Sequence, residues 1–531
     1  MYILRLHKNT QVFTRYTFGV TVCVCVCVCY QGALCILDHL QNNGAALKRL
    51  RERQDNPAVQ FQAMEGFLHR TGVTVGELDK LNIIHVTGTK GKGSTCAFAE
   101  SVLRNNGFRT GFYSSPHLVH VRERIRINGW PISKGLFTKY FWETYEQLEE
   151  TKDSHGGTMP FYFQFLTLLA FRVFLKEQVD LTVIEVGIGG QYDCTNIIRK
   201  PWVCGITSLG LDHCSLLGDT TEKIAWQKAG IFKPGVPAFT VRQQPGSLKV
   251  LQRRAKEIGC PLSVCPDLEQ YEAVVGPVRL GLAGAHQRLN ASLALQLSFS
   301  WLQHHEAKKT GVQIQSEDFL PPLSPPGLQE TEWLGRSQTL RRGSVTYYLD
   351  GAHTTASIQS CVCWFREEIN PGLRILLFNT TGERDSAALL RLLLPCRFDY
   401  SLFCPNIPET PTDEGIYNYV QQMLVRCREN QLIWQSLNAL DATHQRHCNS
   451  GSQSLVFPCI LSALQWINWR KQTASTPAVS LSSNRIFPDS AELPDRLREA
   501  GQISVLVTGS LHLVGGALKH LEPSLSTVDY K

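Results

Sequence analysis

Leu81-Asn-Ile-Ile-His-Val-Thr-Gly-Thr-Lys-Gly-Lys-Gly-Ser-Thr95 reads as a buried strand, a glycine-rich turn and the opening of a helix. Ile83, Ile84 and Val86 form the apolar run, while Gly88, Gly91 and Gly93 let the backbone turn its N–H groups inward. Ser94 and Thr95 then open the apolar helix that carries Cys96 to Leu103. Such a turn attracts anions for two additive reasons: unpaired N–H groups at a helix start point at the ligand, and the helix dipole puts partial positive charge there. Lys92 adds a full charge, and a Ser94 or Thr95 hydroxyl suits a magnesium ion. The spacing departs from the common P-loop pattern, because Gly93 separates Lys92 from Ser94.

Outward from that stretch, the composition is that of a globular chain. At 531 residues, 43% hydrophobic and 19% charged, it is long enough for several domains. The net charge of +7 suits a polyanionic small substrate, and no RNA- or DNA-reading module is present, which argues against nucleic acid. Eighteen cysteines are scattered without zinc spacing and read as reduced core thiols, which points to a cytosolic or mitochondrial-matrix compartment. Residues 1–30 stand apart as a leader. The first 37 residues have no acidic side chain and carry Arg5, Lys8 and Arg15, as a mitochondrial presequence does. Tyr16 to Leu37 is uncharged but diluted by Gly19, Thr21, Gln31 and Gly32, so no stable membrane span is expected. A GT-repeat DNA read in triplets encodes Val-Cys without end, so the octet Val22 to Cys29 receives no function.

Further strand ends carry polar groups. Ser114-Ser-Pro-His-Leu118 follows a short strand, where open α/β sheets place their ligands. Val121 to Gly129 reads as a strand and turn with arginines alternating on one face, and a solvated strand face is the plain alternative to a binding role. Pro160 to Lys176 is an aromatic-rich helix for core packing or a pocket wall. In Leu181-Thr-Val-Ile-Glu185 a carboxylate sits amid apolar residues and needs a cation. Asp212 and His213 end the next strand, and one Glu, one His and several hydroxyls around phosphate suit magnesium, with His an unusual ligand. Lys228, in the last turn of the helix from Thr221, reads alone as a dipole-complementing surface lysine.

The proline-rich, polar stretch 306–332 is the domain boundary, separating a first domain, 31–305, from a second, 333–531. Strands and helices alternate on both sides, which predicts an α/β chain of two doubly wound domains with a cleft between them: an N-terminal P-loop ATPase domain and a smaller C-terminal Rossmann-like domain. Polar segments near 441–454 and 473–484 read as flexible insertions.

Six motifs in order resemble the folylpolyglutamate synthase family of Mur-ligase-like ATP-dependent amide ligases. They are His85 to Thr95, Ser114 to Leu118, Glu185 to Gly190 with Asp193 to Asn196, Leu211-Asp-His213, His286-Gln287 with Asn290-Ala291, and Asp350-Gly-Ala-His353. The resemblance implies a monomer in the cytoplasm and mitochondrial matrix, associated with the inner membrane, that joins L-glutamate to the γ-carboxylate of tetrahydrofolates. It implies ATP, Mg2+ and a monovalent cation. Gly91, Lys92, Gly93 and Ser94 would hold the triphosphate, Ser115, Glu185 and His213 would ligate magnesium, and Lys228 would carry a carbamate. Arg336, Asp350 and His353 would reach ATP from the second domain, with Asn290 close to the base. Lys92, Lys228 and His213 are thereby the catalytic candidates, and folate falls near Ser114 to Leu118 with Arg122 or Arg124 for its carboxylates. Dihydrofolate synthase or a bifunctional enzyme is the alternative within the family. A P-loop kinase leaves Glu185, His213 and Asp350 unexplained, and a non-catalytic nucleotide-binding protein is the third class.

Overall fold

The structure, a computed structural model, describes residues 5–7, 10–17, 20–27, 29–41, 57–311, 325–382, 384–409, 414–444, 453–468, 495–527 and 529. The strands β1 (Arg5–His7), β2 (Thr10–Thr17) and β3 (Val20–Cys27) pair antiparallel ahead of the main fold. Helices Tyr30–Gln41 and Pro57–Arg70 follow.

The first large sheet contains β4 (Ile84–Thr87), β5 (Thr110–Tyr113), β6 (Ile125–Ile127), β7 (Trp130–Pro131), β8 (Leu181–Glu185), β9 (Val203–Ile206), β10 (Ala238–Thr240) and β11 (Leu262–Val264). Its order is β11-β10-β9-β4-β8-β5-β6-β7, parallel from β11 to β5 with β6 and β7 antiparallel at the edge. The chain leaves β4 toward β5 on one side and later returns to β9 on the other. That reversal opens a crevice at the carboxyl ends of β4, β8 and β9, where such sheets bind ligands. Val86 pairs Glu185 and Thr87 pairs Ile206, so the strand ends that carry the motifs lie level.

Helices cover both faces because the inner strands are apolar on both sides. On one face Ile84, Val86, Phe112 and Val183 pack with Ala97, Leu297 and Trp301 from helices Lys92–Asn105 and Gln287–Thr310. On the other, Ile83 and Ile184 meet Phe141 and Phe165 of helices Lys134–Glu150 and Tyr162–Lys176. The aromatic-rich helix is thus core. Truncating fully buried Phe165 to alanine would cost about 3–5 kcal/mol, through lost transfer energy and the cavity left behind.

The second large sheet holds β12 (Gln338–Arg342), β13 (Val345–Leu349), β14 (Leu373–Phe378), β15 (Tyr400–Phe403), β16 (Gln453–Val456) and β17 (Ile503–Thr508), in the order β12-β13-β17-β14-β15-β16. All pairs are parallel except β12 with β13. Helix Leu511–Leu521 covers one face; Thr355–Glu368 and Glu414–His444 cover the other. The two doubly wound sheets match the expected fold class.

Local readings differ in places. The helix after the glycine turn starts at Lys92, two residues earlier than the hydroxyls suggested, with Gly91 as its cap. Of the boundary stretch, the helix from Gln287 runs on to Thr310, Pro325–Gln329 is helical, and 312–324 lie outside the described residues. In the first polar segment, helix Glu414–His444 extends through 441–444 and β16 begins at Gln453, with 445–452 outside the described residues. The segment 473–484 lies outside them entirely. Among the described residues, no helix is long and apolar enough to cross a membrane.

Candidate active site

Gly91 ends the glycine turn at φ 88°, a left-handed conformation that glycine adopts without a Cβ penalty. No side chain caps the helix that follows, so its first N–H groups stay available to an anion. The turn is fixed from behind: Thr89 and Lys90 donate their backbone N–H groups to Ser208 O, at 3.0 and 3.1 Å. Asn290 closes over Gly91 so tightly that a Cβ there would overlap its Oδ1, and its Nδ2 donates to Gln287 Oε1 at 2.8 Å. Asn290 is therefore a buried brace of the turn. Lys92 and Gly93 stand half-buried at the mouth, and Ser94 is buried beneath them.

Lys228 departs most from its plain reading. It is 3% exposed, with its Nζ donating to Gly88 O at 2.8 Å, so the surface-lysine reading fails. Its helix is capped by Thr220, which accepts from Lys223 N, and ends at Lys228, delivering the ammonium under the glycine turn. Burial, together with the nearby charge of Lys92, holds its pKa well below the usual lysine value. That favours the neutral, nucleophilic amine.

Glu185 ends β8, is buried, and accepts from Ser115 N at 3.0 Å. Burial raises its pKa, opposed by Lys92 and the Ser115 N–H and, to a smaller extent, by Arg336 and Arg124. His213 keeps an exposed edge, with left-handed backbone at φ 52°, and partial desolvation of its ring lowers its pKa against the pull of Asp212. The charges of Lys92 and Lys228 also act on it, which puts the three catalytic candidates in one neighbourhood.

The second domain reaches the same place. Lys90 Nζ donates to Asp212 Oδ2 at 2.9 Å and lies 2.9 Å from His353 Nε2, whose Nδ1 is 2.8 Å from Gly351 O. Burial lowers Lys90 to about 8 despite Asp212. Burial alone would raise Asp212, but the His353 hydrogen bond and the Lys90 charge outweigh it and leave the carboxyl far below the usual range. Asp350 is buried and accepts from Ser337 N and Ala352 N, both at 2.8 Å, so its hydrogen bonds shape the turns on either side of it. Half-buried Arg336 is lowered by burial, with Asp350 and Glu185 opposing. The loop at Leu118 packs against helix Leu511–Leu521 at Gly515, where a Cβ would overlap Leu118 O.

The alternating arginines need correction. Val121–Arg124 is a tight 3-10 turn, and β6 begins only at Ile125. Neither Arg122 nor Arg124 lies on a solvated face: they are 0% and 4% exposed. Arg122 Nη1 donates to Ile132 O at 3.0 Å and lies 4.0 Å from the Asp529 carboxylate, which commits it to groups of this chain. Arg124 Nε donates to His117 Nδ1 at 3.0 Å, and its guanidinium lies over the rings of Tyr162 and Phe163, each at 5.5 Å.

Several residues escaped the site assignment. The sequence singles out Asp212 but not Lys90, and the link from Lys90 to His353 joins positions 263 residues apart. Asp193 accepts from Ile188 N at 3.0 Å and Thr195 Oγ1 at 2.6 Å, pinning the glycines that follow Glu185. Arg384, half-buried, adds a cation near Asp212 and His353. Trp333, just past the proline-rich boundary, lies against Gly93. The arrangement can hold a polyphosphate at an open helix end and bring a second reactant beside it.

No protein-family model matches the chain. Among curated relatives, mitochondrial folylpolyglutamate synthase of Homo sapiens is 53% identical over 543 residues, covering 94% of this chain and 92% of that protein. The Cricetulus griseus protein of the same name is 52% identical over 545 residues, with the same shares covered. Among solved structures, Mycobacterium tuberculosis folylpolyglutamate synthase complexed with ADP superimposes with a TM-score of 0.67 at 21% identity, covering 93% of this chain and 98% of that one. With this identity carried along nearly the whole length of both chains, and the two-sheet fold shared, the chain belongs to the folylpolyglutamate synthase family.

Proposed function

We propose that the chain adds L-glutamate to the γ-carboxylate of tetrahydrofolates and their polyglutamates, at the expense of ATP. It is a ligase of its family, and the reading rests above all on one observation: the open helix end at Gly91 and the second domain's Arg336 and His353 converge on the same strand ends. A kinase acting through the glycine turn alone would have no use for that convergence.

A carboxylate is a poor electrophile, since its leaving group would be oxide. Transfer of the γ-phosphoryl group forms a bond from the folate carboxylate oxygen to phosphorus and releases ADP. The glutamate amine then attacks the acyl carbon, loses a proton, and expels inorganic phosphate as the amide forms. Several anions must meet, so catalysis is chiefly charge neutralisation and positioning. The N–H groups of Lys92, Gly93 and Ser94 and the Lys92 ammonium take the phosphates; Asn290 braces the turn; Arg336 approaches from the second domain. His353, fixed to Lys90 and Asp212, keeps the domains in register.

Glu185, a buried carboxylate whose charge needs a cation, fits magnesium together with the Ser115 hydroxyl and His213. Among the described residues, no three His, Cys, Asp or Glu side chains form a metal-holding group, so phosphate and water oxygens would complete the shell. When bound, the ion neutralises charge on the phosphates. The buried Lys228 amine, held neutral, suits attack on CO2; the new N–C bond gives a carbamate and releases one proton, placing an anion near His213. Folate lies by Ser114 to Leu118, with Arg124, whose Nη1 is buried without a hydrogen-bond partner among the described residues, rather than Arg122 facing its carboxylates. The relatives are mitochondrial by name, and we place this chain in mitochondria, as a monomer.

Mass spectrometry of tetrahydrofolate incubated with ATP, magnesium and glutamate tests the reading. The expected product is heavier by one glutamyl residue, formed together with ADP and phosphate. Phosphorylation without glutamate incorporation would sink it, and a parallel dihydropteroate acceptor distinguishes the synthase alternative.

A further inference from the structure

Gly93 separates Lys92 from Ser94 where the common phosphate loop has no residue, and since any residue could offer its N–H to phosphate, the nucleotide site does not explain why it is glycine. Unlike Gly91, it has no positive φ: it lies in the first turn of helix Lys92–Asn105, in a conformation any residue adopts. What requires glycine is a neighbour. A Cβ at Gly93 would come 2.9 Å from Trp333 Nε1, 3.2 Å from Cζ2 and 3.3 Å from Cε2, closer than a methyl group can sit against a rigid ring.

Trp333 is held from its other sides. Its ring lies 5.2 Å from that of Phe112 on β5, and the Arg126 guanidinium stands 4.8 Å over it. Arg126 in turn donates to Glu123 O at 3.2 Å, and the Glu123 carboxylate accepts from the N–H groups of Leu118, Val119 and His120 at 2.7–3.0 Å. One indole thus touches the phosphate turn and, through Arg126 and Glu123, the loop at Ser114 to Leu118. It also stands three residues before Arg336, and the same small cavity is lined by Gly93, Ser115, Glu185, Trp333 and Arg336.

We propose that Trp333 is a positioning residue for nucleotide binding: its indole, seated on Gly93, sets the glycine turn in register with Arg336, and position 93 is glycine to admit it. The inference rests on the reading of this turn as the ATP phosphate site. Trp333 itself touches no reacting atom.

The test is a double-mutant cycle read as the Kd of the non-hydrolysable ATP analogue AMPPCP with magnesium, alongside melting temperature. Gly93→Ala should weaken binding by about tenfold or more, because the methyl displaces the turn or the indole. Trp333→Ala should weaken it less, and Gly93→Ala/Trp333→Ala should bind no worse than Trp333→Ala alone, since the clash is gone. Trp333→Phe should retain most of the affinity and also partly rescue Gly93→Ala, and it supplies the same cycle should the alanine variant not fold. Additive losses in both cycles would overturn the proposal, showing that Gly93 serves the phosphate directly. So would a Trp333→Ala variant with a lowered melting temperature and unchanged Kd, the behaviour of a merely structural tryptophan. A wild-type protein that binds no AMPPCP would instead overturn the phosphate-site reading itself.

Discussion

The two sheets end alike and are used differently. At the carboxyl edge of β4 the chain turns through Gly91 into a helix that no side chain caps. At the carboxyl edge of β13 it turns through Asp350 to His353 into helix Thr355–Glu368, whose Thr354 accepts from Ser357 N while Ser357 Oγ accepts from the N–H groups of His353 and Thr354. The first edge leaves backbone N–H groups for a ligand. The second satisfies its own and offers side chains instead: Arg336, His353 and Arg384. Withheld capping is what leaves the first strand end suited to an anion.

The strongest way to break this contrast is at Lys228, under the first edge. If the buried amine carries a carbamate, Lys228→Arg should cut turnover on the order of a hundredfold to a thousandfold, as removal of a preorganised charge does. Lys228→Ala should be equally poor, and added short carboxylates should restore part of its rate. Arginine keeps the positive charge and cannot react with CO2. An active Lys228→Arg enzyme in a steady-state assay would therefore end the carbamate reading.

Next in size is Lys92→Ala. The side chain is half-buried at the mouth of the turn, so folding should survive while turnover falls by at least about tenfold, roughly 1.4 kcal/mol. Equal activity, measured at saturating ATP and again at limiting ATP, would remove Lys92 from the phosphate site.

These two lysines also mark how far sequence carries. The β4 edge was legible because its signals are local: an apolar run, three glycines and two lysines within fifteen positions. Lys228 read as a surface lysine because helix position alone cannot reveal that its partner, Gly88 O, is 140 residues away. Arg122 and Arg124 alternate as strand residues do, yet a 3-10 turn and long-range packing bury both. Trp333 sits at a compositional boundary, where nothing in the spacing points back to Gly93. Glu185 is legible for the opposite reason: a carboxylate closing an apolar strand stands out within five positions, and the structure buries it at the end of β8.

The link between the edges, Lys90 with Asp212 and His353, yields a pH prediction. In the folded chain Lys90 titrates at about 8, against about 10.4 for a free lysine. Below pH 8 both states hold the proton and the folded one bears the cost of a partly desolvated charge. Between those values the unfolded chain binds more protons, so stability rises with pH, by at most about 1.4 kcal/mol per unit. Urea unfolding midpoints for wild type and Lys90→Met should show wild type gaining on the variant through that window. A difference that stays flat across it would contradict the half-buried, paired lysine.

The smallest effect tests the capped edge. Thr354→Ala removes the side-chain oxygen that accepts from Ser357 N, which should cost about 1 kcal/mol of stability. The N–H groups of His353 and Thr354 still reach Ser357 Oγ, at 3.1 and 3.0 Å, so His353 should keep its place beside Lys90. Unfolding by urea should therefore shift while the KM for ATP and the turnover number hold. The two edges are thus predicted to respond in opposite currencies: Lys92→Ala in activity with little change in stability, Thr354→Ala in stability with little change in activity. A Thr354→Ala enzyme that is fully folded yet slowed by more than about tenfold would mean that the second edge, too, serves the ligand through its helix end. The contrast between an open edge and a closed one would then have to be abandoned.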